Sequence, residues 1–467
     1  MNAAAKPLSV GVNLAGYLDS VIGIGEAARQ VRHALAAAGV PVAPFTLVAD
    51  SAERLEGAAP PWPSPPPFAV NLVCVNPDGL EGAHDALGPD FFEGRHTVGL
   101  WWWEVEALPE RWAPWFELVD ELWACSHHVA DALAAAAPVP VVRMPMPLAE
   151  PRSSGAGRAE LGLPEGFLFL FAFDYGGVME RKNPLAAVRA FGRAFAPGAG
   201  AALALKTIGS EARPAEHERL LAATGEHPDV HVIDRSLPAA EMAALVGACD
   251  CYLSLHRSEG FGLTIAEAML AGKPVIATAY GGPRDVLTPS NSFPVDYRLV
   301  PIGPGNEPYP AAGRWAEPDE EQAAELMRAV AADPGEGRRR GERARQDLLR
   351  DHSPRAAGLA MARRLAALAG LPVAADGAPS GLDTRELVHR IRSQPAEPAG
   401  LARPRSTFRR AILRLMRPQS AHQRYVDEEI ARLLRGMDER IRGLGEGQAS
   451  LSAELAELRR RLEELER

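Results

Sequence analysis

The chain has 467 residues and a mass of 49.9 kDa, which at roughly 100–200 residues per domain is enough for two to three domains. Hydrophobic residues make up 47% and charged residues 24% of the chain, a balance that excludes wholesale disorder. The formal net charge is −10, and an acidic chain argues against nucleic acid as a partner because binding to phosphates needs a basic surface.

Cysteine usage and hydropathy predict the compartment. The four cysteines, Cys74, Cys125, Cys249 and Cys251, form no Cys-x-x-Cys pair, so we expect neither a disulfide scaffold nor a zinc site, and a reducing cytoplasm fits best. Residues 1–7 lack an apolar stretch, which predicts no signal peptide. No run of about 18 uncharged apolar residues occurs, so we expect no membrane-spanning helix.

In the first third of the chain, short apolar runs alternate with amphipathic helical patterns such as 25–38 and 129–136. This alternation predicts a parallel sheet covered by helices. The predicted strands are residues 9–13, 42–48, 69–75, 97–103, 121–125 and 139–144.

The alternation restarts after a linker at 145–166. The predicted strands of this second unit are 167–173, 202–208, 230–233, 251–255 and 274–278, and its helices are 184–195, 239–247, 263–271 and 319–332, with a further helix at 355–369. Two doubly wound α/β units in series predict a ligand cleft beyond the carboxyl ends of their strands.

The end of the chain predicts a helical tail. Apolar residues from Ile430 to Leu465, together with Gln448, repeat at alternating spacings of four and three, which is typical of a coiled coil. Residues 403–417 contain six arginines and no acid, with their apolar residues on one helical face. This pattern favours a basic amphipathic helix on an anionic membrane surface, with docking against the protein body as the alternative.

The chemically most informative run is residues 254–278. A strand ends near Leu255, a loop with Gly260 and Gly262 follows, and a helix begins near Gly262. Glycines let the backbone approach a ligand, and the free N–H groups of a helix N-terminus favour a phosphate. A second glycine turn, at Gly281-Gly282, follows the next strand.

Two glutamates lie in the same run. Glu259 precedes the helix and Glu267 lies eight residues later, with Gly-Phe-Gly between them and Gly-Lys-Pro-Val-Ile-Ala-Thr after them. This segment resembles the retaining nucleotide-sugar glycosyltransferases that carry a Glu-x7-Glu motif on a GT-B fold, closest to the sucrose- and glycogen-synthase-like group with its many bacterial polysaccharide enzymes. The resemblance extends over most of residues 8–370 in domain order.

The resemblance implies two Rossmann-like domains that face a cleft. They are an acceptor domain at 1–148 and a nucleotide-sugar donor domain at 166–354, followed by a closing helix at 355–372, a linker at 373–404, and the basic helix and coiled coil at 405–467. It also implies roles for the two glutamates. Glu259 contacts hydroxyls of the transferred sugar and Glu267 binds the ribose hydroxyls.

The spacing of the glutamates argues against a hydrolase. Eight helical residues rise about 12 Å, whereas the paired carboxyls of glycosidases lie roughly 5–9.5 Å apart. An ionised carboxylate accepts hydroxyl donors, so we expect the pair to bind two parts of one elongated donor. The residues expected to line the donor between and after them are Gly260, Phe261, Gly262, Leu263 and Gly282.

A second loop, residues 173–184, supplies an Arg and a Lys to the diphosphate in the family. Lys182 occupies the Lys position, whereas Phe173-Asp174 stands where the Arg is usual. Arg181 is the candidate replacement, and two cations at this place stabilise a diphosphate leaving group. The alternative is an ordinary surface Arg-Lys pair.

Two loops of the first unit complete the predicted site. Gly23 and Gly25 belong to a glycine-rich loop that resembles the family's loop over the donor phosphates. Three tryptophans, Trp101 to Trp103, end a strand; Trp103 is a candidate sugar platform, whereas packing of the sheet is the alternative for Trp101 and Trp102. Glu104 stands near the family's usual His and is a cleft candidate, as is His256.

These observations, with the resemblance, predict a glycosyltransferase that moves a sugar from a nucleotide diphosphate to a glycan or lipid-linked acceptor. The resemblance implies retention of configuration and a role in surface polysaccharide assembly. Because the sequence shows no Asp-x-Asp and no ligand-spaced His, Cys or Asp cluster, we expect no metal and no cofactor. The expected location is cytoplasmic or peripheral at the inner membrane face, in an oligomer or with a partner protein held by the coiled coil. The alternatives are a non-catalytic scaffold that binds a nucleotide sugar or glycan, and a nucleotide-sugar epimerase, against which the Glu-x7-Glu run argues.

Overall fold

The computed structural model describes residues 10–20, 22–48, 62–225 and 227–369. Within them lie two parallel six-stranded sheets and a two-stranded hairpin, which confirms the prediction of two doubly wound units. The predicted linker at 373–404, the basic helix at 403–417 and the coiled coil lie outside the described residues.

The first sheet has the strand order β2-β1-β3-β4-β5-β6, and all its strands are parallel. Its strands are β1 (Val12–Gly16), β2 (Val42–Thr46), β3 (Val70–Cys74), β4 (His96–Trp101), β5 (Glu121–Ala124) and β6 (Val141–Arg143). The helices that accompany it are α1 (Gly23–Ala37), α2 (Pro77–Leu87), α3 (Pro89–Phe92) and α4 (His127–Ala134), with a 3-10 helix at Glu110–Leu118.

Alternate residues of β1 enter different cores, as the pleat of a strand requires. Leu14 packs in the core that contains residues of α1, whereas Ala15 packs in the core that contains Leu80 of α2 and Leu133 of α4. Both faces of the sheet are therefore covered, which explains why its strands read as nearly continuous apolar runs.

The first strand extends further than the sequence predicted. The prediction ended it at Asn13, a polar residue, but β1 runs to Gly16, which pairs with Cys74. Asn13 is fully buried because its amide donates to Phe68 O at 2.8 Å and to Asn71 Oδ1 at 2.9 Å. A buried amide with hydrogen-bond partners does not interrupt a strand, so Asn13 does not mark the end of β1.

The second sheet has the order β12-β11-β10-β7-β8-β9 and is also parallel. Its strands are β7 (Phe167–Asp174), β8 (Ala201–Ile208), β9 (Val230–Asp234), β10 (Cys251–Ser254), β11 (Val275–Thr278) and β12 (Phe293–Val295). Its helices are α5 (Arg158–Leu161), α6 (Met179–Lys182), α7 (Pro184–Ala194), α8 (Pro214–Thr224), α9 (Ala239–Ala248), α10 (Leu263–Leu270), α11 (Glu320–Ala332) and α12 (Pro334–Asp351). Short 3-10 helices lie at Tyr175–Gly177, Ser210–Ala212 and Gly282–Asp285.

An antiparallel hairpin follows the second sheet and was not predicted. Its strands are β13 (Tyr297–Pro301) and β14 (Arg314–Pro318), and they pair from Tyr297 with Pro318 to Pro301 with Arg314. The sequence did not predict the hairpin because its strands are only five residues long, β13 is partly exposed, and the intervening residues 302–313 contain Pro and Gly, which are typical of a loop.

The chain returns to the first sheet at its end. The last described helix, α13 (Pro354–Leu368), places Leu365 in the same core as Leu14. Where the chain crosses between the sheets, His352 Nδ1 donates to Met146 O at 2.8 Å and Leu148 N donates to His352 O at 2.8 Å. The two crossing segments are thus bonded to each other.

Candidate active site

The candidate site lies at the carboxyl ends of the parallel strands. Residues that follow β7 and β10 in the second sheet meet residues that follow β4 and β5 in the first. Parallel strands end on one edge of a sheet, so loops that are distant in sequence converge there. Ser126 Oγ, after β5, donates to Gly260 O, after β10, at 2.6 Å.

Three predicted site residues come together, because the cations of Lys182 and Arg181 both contact the carboxylate of Glu259. Lys182 Nζ lies 2.5 Å from Glu259 Oε1, and Arg181 Nη1 lies 3.1 Å from Glu259 Oε2. Burial alone would raise the pKa of Glu259, but the charges of Lys182 and Arg181 outweigh it and lower the pKa to about 2. Glu259 is therefore ionised at neutral pH and able to accept hydroxyl hydrogen bonds.

Lys182 is the more accessible of the two cations. Its side chain is 19% exposed, against 5% for Arg181. Burial and the neighbouring Arg181 lower the pKa of the Lys182 amine, although the carboxylate of Glu259 opposes this. Lys182 thus has one charged partner and a side open to the cleft.

The position of Arg181 corrects the expectation that it replaces the missing diphosphate cation. Its Nε donates to Gly177 O at 3.0 Å and its Nη1 to Ser258 O at 2.9 Å, beside the contact with Glu259. The guanidinium thereby joins the loop after β7 to the loop after β10. Because these donors are used within the protein, Arg181 positions Glu259 and is not an open diphosphate ligand.

The glycine loop has the predicted strand-loop-helix form. Helix α10 begins at Leu263 after Gly262, which has φ +83° and provides no side-chain cap. A left-handed φ at this residue favours glycine. With no side-chain cap, N–H groups of the first turn can meet an anion.

Phe261 is a correction to the predicted donor lining. Its side chain is 3% exposed and packs 5.5 Å, between ring centroids, from His352 at the crossing between the sheets. The ring thus points into the core and only the backbone of Phe261 can line the loop. Leu263, at the first turn of α10, is half-buried.

Gly282 packs against the glycine loop after β10. Its N–H donates to Glu259 O at 2.7 Å. A Cβ atom at this residue would lie 1.8 Å from Gly260 O and 2.8 Å from the Cα atom of Phe261. The two glycine turns therefore pack backbone against backbone, which no residue with a side chain permits.

Glu267 faces the first domain. It is half-buried on α10, and burial followed by the charge of Glu26 raises its pKa to about 7. Glu26 lies in the first turn of α1, just after Gly25, while Gly23 begins that helix. The predicted glycine loop of the first domain and the predicted ribose ligand are thus neighbours.

We expect Glu267 to make stability depend on pH. An ordinary glutamate has a pKa of 4.5, so between pH 4.5 and about 7 the folded protein holds a proton that the unfolded chain has released. The contribution of this group to the free energy of unfolding therefore falls as pH rises through that window. Denaturant unfolding at pH 5 and pH 8 should show a smaller decline for Glu267→Gln than for the wild type. An equal decline in both proteins would contradict the raised pKa.

Trp103 corrects a second expectation. The side chain is 2% exposed, its Nε1 donates to Ala107 O at 2.9 Å, and its ring lies 4.6 Å from Trp112 and 5.1 Å from Tyr309. No face of this ring is left for a sugar. The expectation of a sugar platform at Trp103 is therefore wrong, because the ring packs between the first domain and Tyr309.

His256 is likewise not a free cleft group. It is fully buried, with Nε2 3.1 Å from Tyr280 O and Nδ1 3.1 Å from Ser254 Oγ. A carbonyl only accepts, so Nε2 carries the proton and Nδ1 accepts from the serine. Burial lowers the pKa of His256 to about 4, which makes it a neutral structural residue.

Glu104 does reach the cleft. Its side chain is 23% exposed, Oε1 lies 3.9 Å from Arg181 Nη2, and Oε2 accepts from the Tyr309 hydroxyl at 3.0 Å. Its backbone oxygen accepts from His128 Nε2 at 2.8 Å and from Ser258 Oγ. Glu104 thus joins the first domain to the loop that carries Glu259.

Sequence reasoning missed a contact between the domains at Asp285. Its Oδ2 accepts from the backbone N–H of His127 at 3.0 Å, lies 2.9 Å from His127 Nδ1, and lies 3.3 Å from Arg143 Nε. Burial opposes the charge of Asp285, but His127 and Arg143 hold its pKa well below the ordinary range. Ser126 is the N-cap of α4, because its side chain accepts from Val129 N.

A polar cluster beside the site was also missed. Lys206, at the end of β8, is 5% exposed and donates to Thr207 O at 2.7 Å. Thr207 Oγ1 donates to Asp234 Oδ1 at 2.7 Å. Burial lowers the pKa of Lys206 to about 8, although Asp234 opposes this. The sequence did not predict this cluster, because a lysine inside an apolar strand belongs to no motif that marks it as a site residue.

The comparisons with known proteins concern mainly the second domain. Residues 171–347 match the family described as "Glycosyl transferases group 1". They include the three residues that meet at Glu259. The likeness to this family thus covers the loops after β7 and β10 that carry the candidate site.

Curated relatives of this chain match over short segments. The "Trehalose synthase" of Pyrococcus horikoshii is 45% identical over 67 residues, which is 14% of this chain and 16% of the relative. The "D-inositol 3-phosphate glycosyltransferase" of Arthrobacter sp. is 32% identical over 145 residues, which is 29% of this chain and 31% of the relative. The chain thus spans less than a third of the length of each of these relatives.

Solved structures extend the likeness beyond the group 1 domain. Sucrose-phosphate synthase from Thermosynechococcus elongatus has a TM-score of 0.56 at 18% identity, over 77% of this chain and 99% of that one. Anabaena Alr3699/HepE, in complex with UDP and glucose, has a TM-score of 0.54 at 14% identity, over 77% and 100%. At this identity the likeness concerns the fold, which is the GT-B arrangement of two Rossmann-like domains.

Metal and membrane features were searched in the described ranges. Among residues 10–20, 22–48, 62–225 and 227–369, no three His, Cys, Asp or Glu side chains are placed to hold a metal ion. In the same ranges, no helix combines the length and apolarity that crossing a bilayer requires. The four cysteines carry free, buried thiols.

Proposed function

We propose that the protein is a glycosyltransferase that moves a sugar from a nucleotide diphosphate donor to an acceptor hydroxyl. The observation that carries this proposal is the ionised Glu259, held by Lys182 and Arg181 at the meeting of the two domains, within a group 1 glycosyltransferase domain. Such a carboxylate suits a sugar subsite because it accepts hydroxyl donors without titrating near neutral pH.

The diphosphate lies between the uncapped N-terminus of α10 and Lys182 in this proposal. The helix supplies N–H groups and a positive dipole end, and Lys182 supplies a charge. Both stabilise the negative charge that develops on the leaving diphosphate, which is where preorganised electrostatics lowers a barrier most. Glu267 accepts hydrogen bonds from the ribose hydroxyls.

A structural neighbour suggests which nucleotide-sugar donor to test first. One structural neighbour was solved with UDP and glucose, which makes UDP and UDP-glucose the first probes. We further propose retention of configuration, independence of metal ions, and a glycan or lipid-linked acceptor in surface polysaccharide assembly. The proposed membrane contact at 403–417 and the coiled coil rest on sequence alone.

A donor panel tests the proposal. Purified protein is incubated with UDP-, GDP-, ADP- and dTDP-sugars and a mixture of acceptor glycans, with EDTA, and nucleotide release and products are followed by mass spectrometry. We expect turnover with at least one donor and a loss of about 100-fold or more for Lys182→Ala, since one diphosphate cation contributes on the order of 3 kcal/mol.

Lys273→Ala is the matched control, because this lysine donates to Gly247 O and Cys249 O away from Glu259. We expect it to keep activity within about threefold. Tight binding of a donor with no product from any acceptor, unchanged by Lys182→Ala, would favour the alternative of a non-catalytic scaffold.

A further inference from the structure

The hairpin β13–β14 reaches from the second domain to the first. Between its strands, Ile302 and Tyr309 pack in one apolar cluster with Trp103 and Trp112 of the first domain. The hairpin itself belongs to neither six-stranded sheet. Its connecting residues therefore pack against the first domain beside the candidate site.

Tyr309 is where this hairpin meets the charged residues of the site. The residue is 7% exposed, and its ring centroid lies 5.9 Å from the Arg181 Cζ atom, within range of a cation–π interaction. Its hydroxyl donates to Glu104 Oε2 at 3.0 Å. Tyr309 thus contacts Arg181 both directly and through Glu104.

A continuous line of contacts joins Tyr309 to Glu259. Glu104 Oε1 lies 3.9 Å from one terminal nitrogen of Arg181, and the other terminal nitrogen lies 3.1 Å from Glu259 Oε2. Lys182 ends the line at 2.5 Å from Glu259. Two carboxylates and two cations alternate along this line, and they come from both domains, while Tyr309 adds the hairpin.

Arg181 is therefore held between two carboxylates. Without Glu104, the guanidinium would face a single carboxylate and the ring of Tyr309, and its planar fork would be free to turn. A turn of that fork would break the bond of Nη1 to Ser258 O, in the loop that carries Glu259. The orientation of Glu259 thus depends on residues that need not touch the donor.

We propose that Tyr309 and Glu104 are positioning residues, which hold Arg181 on the side opposite to Glu259 and so orient Glu259 toward the donor sugar. This proposal rests on the proposed function. Because Glu104 belongs to the first domain and Tyr309 to the hairpin of the second, Glu259 is correctly oriented only when the two domains are in contact. Contact of the hairpin with the first domain is then a condition for the orientation of Glu259, and so for sugar transfer.

A double-mutant cycle with Tyr309→Phe and Glu104→Gln tests the proposal. The first change keeps the ring and removes the hydroxyl, and the second keeps an acceptor oxygen and removes the charge. We expect each to lower kcat about tenfold with KM for the donor changed by less than threefold, because orientation of Glu259 matters in the transition state. The double variant should be no worse than Glu104→Gln alone, since Tyr309 acts through Glu104.

Hydrogen–deuterium exchange gives a readout that needs no turnover. In the donor-free protein, both variants should raise exchange in the peptide that contains residues 257–262, because Arg181 no longer holds Ser258 O. Arg314→Ala is the matched control, as this exposed hairpin residue donates to Leu299 O, and it should change neither exchange nor kcat. This result would support the positioning role even if no donor of the panel were used, so it is separable from failure of the proposed function.

Two outcomes would overturn the proposal. One is unchanged exchange at 257–262 in both variants, whatever the melting temperature does, because the hairpin would then be structural only. The other is losses of activity that multiply in the double variant, since Tyr309 and Glu104 would then act independently.

Discussion

Replacing Glu259 with alanine should abolish sugar transfer, with a loss of about 1,000-fold or more in kcat, equivalent to about 4 kcal/mol of transition-state stabilisation. The substitution removes the acceptor for the sugar hydroxyls. It also removes the carboxylate that Lys182 and Arg181 share at 2.5 and 3.1 Å. Two neighbouring buried cations would then repel each other, and the loop after β10 would lose its ion pairs with the loop after β7.

The measurement is transfer with the donor identified by the panel, together with the affinity for UDP by calorimetry. We expect UDP affinity to change by less than about tenfold, because the nucleotide is held at α10 and Glu267 in the proposed mode, away from the sugar. Glu211→Ala is the control. It removes an exposed carboxylate that follows β8 and should leave kcat within twofold. More than a tenth of wild-type activity in Glu259→Ala would refute the role given to this residue.

Replacing Gly282 with alanine should have the largest effect of any single-methyl addition near the site. The new Cβ would lie 1.8 Å from Gly260 O, so one of two backbone segments must move by more than an ångström. Such a shift would break the hydrogen bond from Gly282 N to Glu259 O. We expect UDP affinity and transfer to fall about 100-fold or more, with a destabilisation of about 1–3 kcal/mol from overpacking.

Gly247→Ala is the matched control for that experiment. This glycine lies in α9, and nothing lies within 4 Å of an added Cβ. Alanine there should leave UDP affinity unchanged and stabilise the fold by up to about 1 kcal/mol through helix propensity. Wild-type UDP affinity in Gly282→Ala would contradict the packing of the two glycine turns.

The sequence predicted most strands because buried parallel strands are apolar on both faces, so each appears as a run that no helix period explains. The resemblance to a known family implied that Glu259 and Lys182 belong to one site. The strand prediction was wrong where the hydrogen-bond partners of a polar residue lie far away in the sequence. Asn13 looked like the end of a strand until Phe68 O and Asn71 satisfied its amide.

The corrected site residues failed for the same physical reason. Trp103, His256 and Arg181 carry side chains that suit a cleft, and nothing local distinguishes a cleft group from a buried one. Trp103 is covered by Trp112 and Tyr309, and the ring nitrogens of His256 are bonded to Ser254 and Tyr280. Tyr309 and Tyr280 lie far from Trp103 and His256 in the sequence, and a local pattern does not show which distant residue covers a side chain.

The length of 467 residues and the net charge of −10 predicted several domains and argued against nucleic acid as a partner. The alternation of strand and helix patterns predicted the α/β class, because it depends on local period, and the resemblance to a known family implied the order of the two domains and the loops that carry the candidate site. Only the tertiary structure decided which charges face each other. It placed Glu104 and Tyr309 against Arg181, and it paired Lys182 with Glu259. Charged residues pair with residues that are distant in the sequence. Neither a net charge nor a motif shows how far apart two charged groups lie in the folded protein.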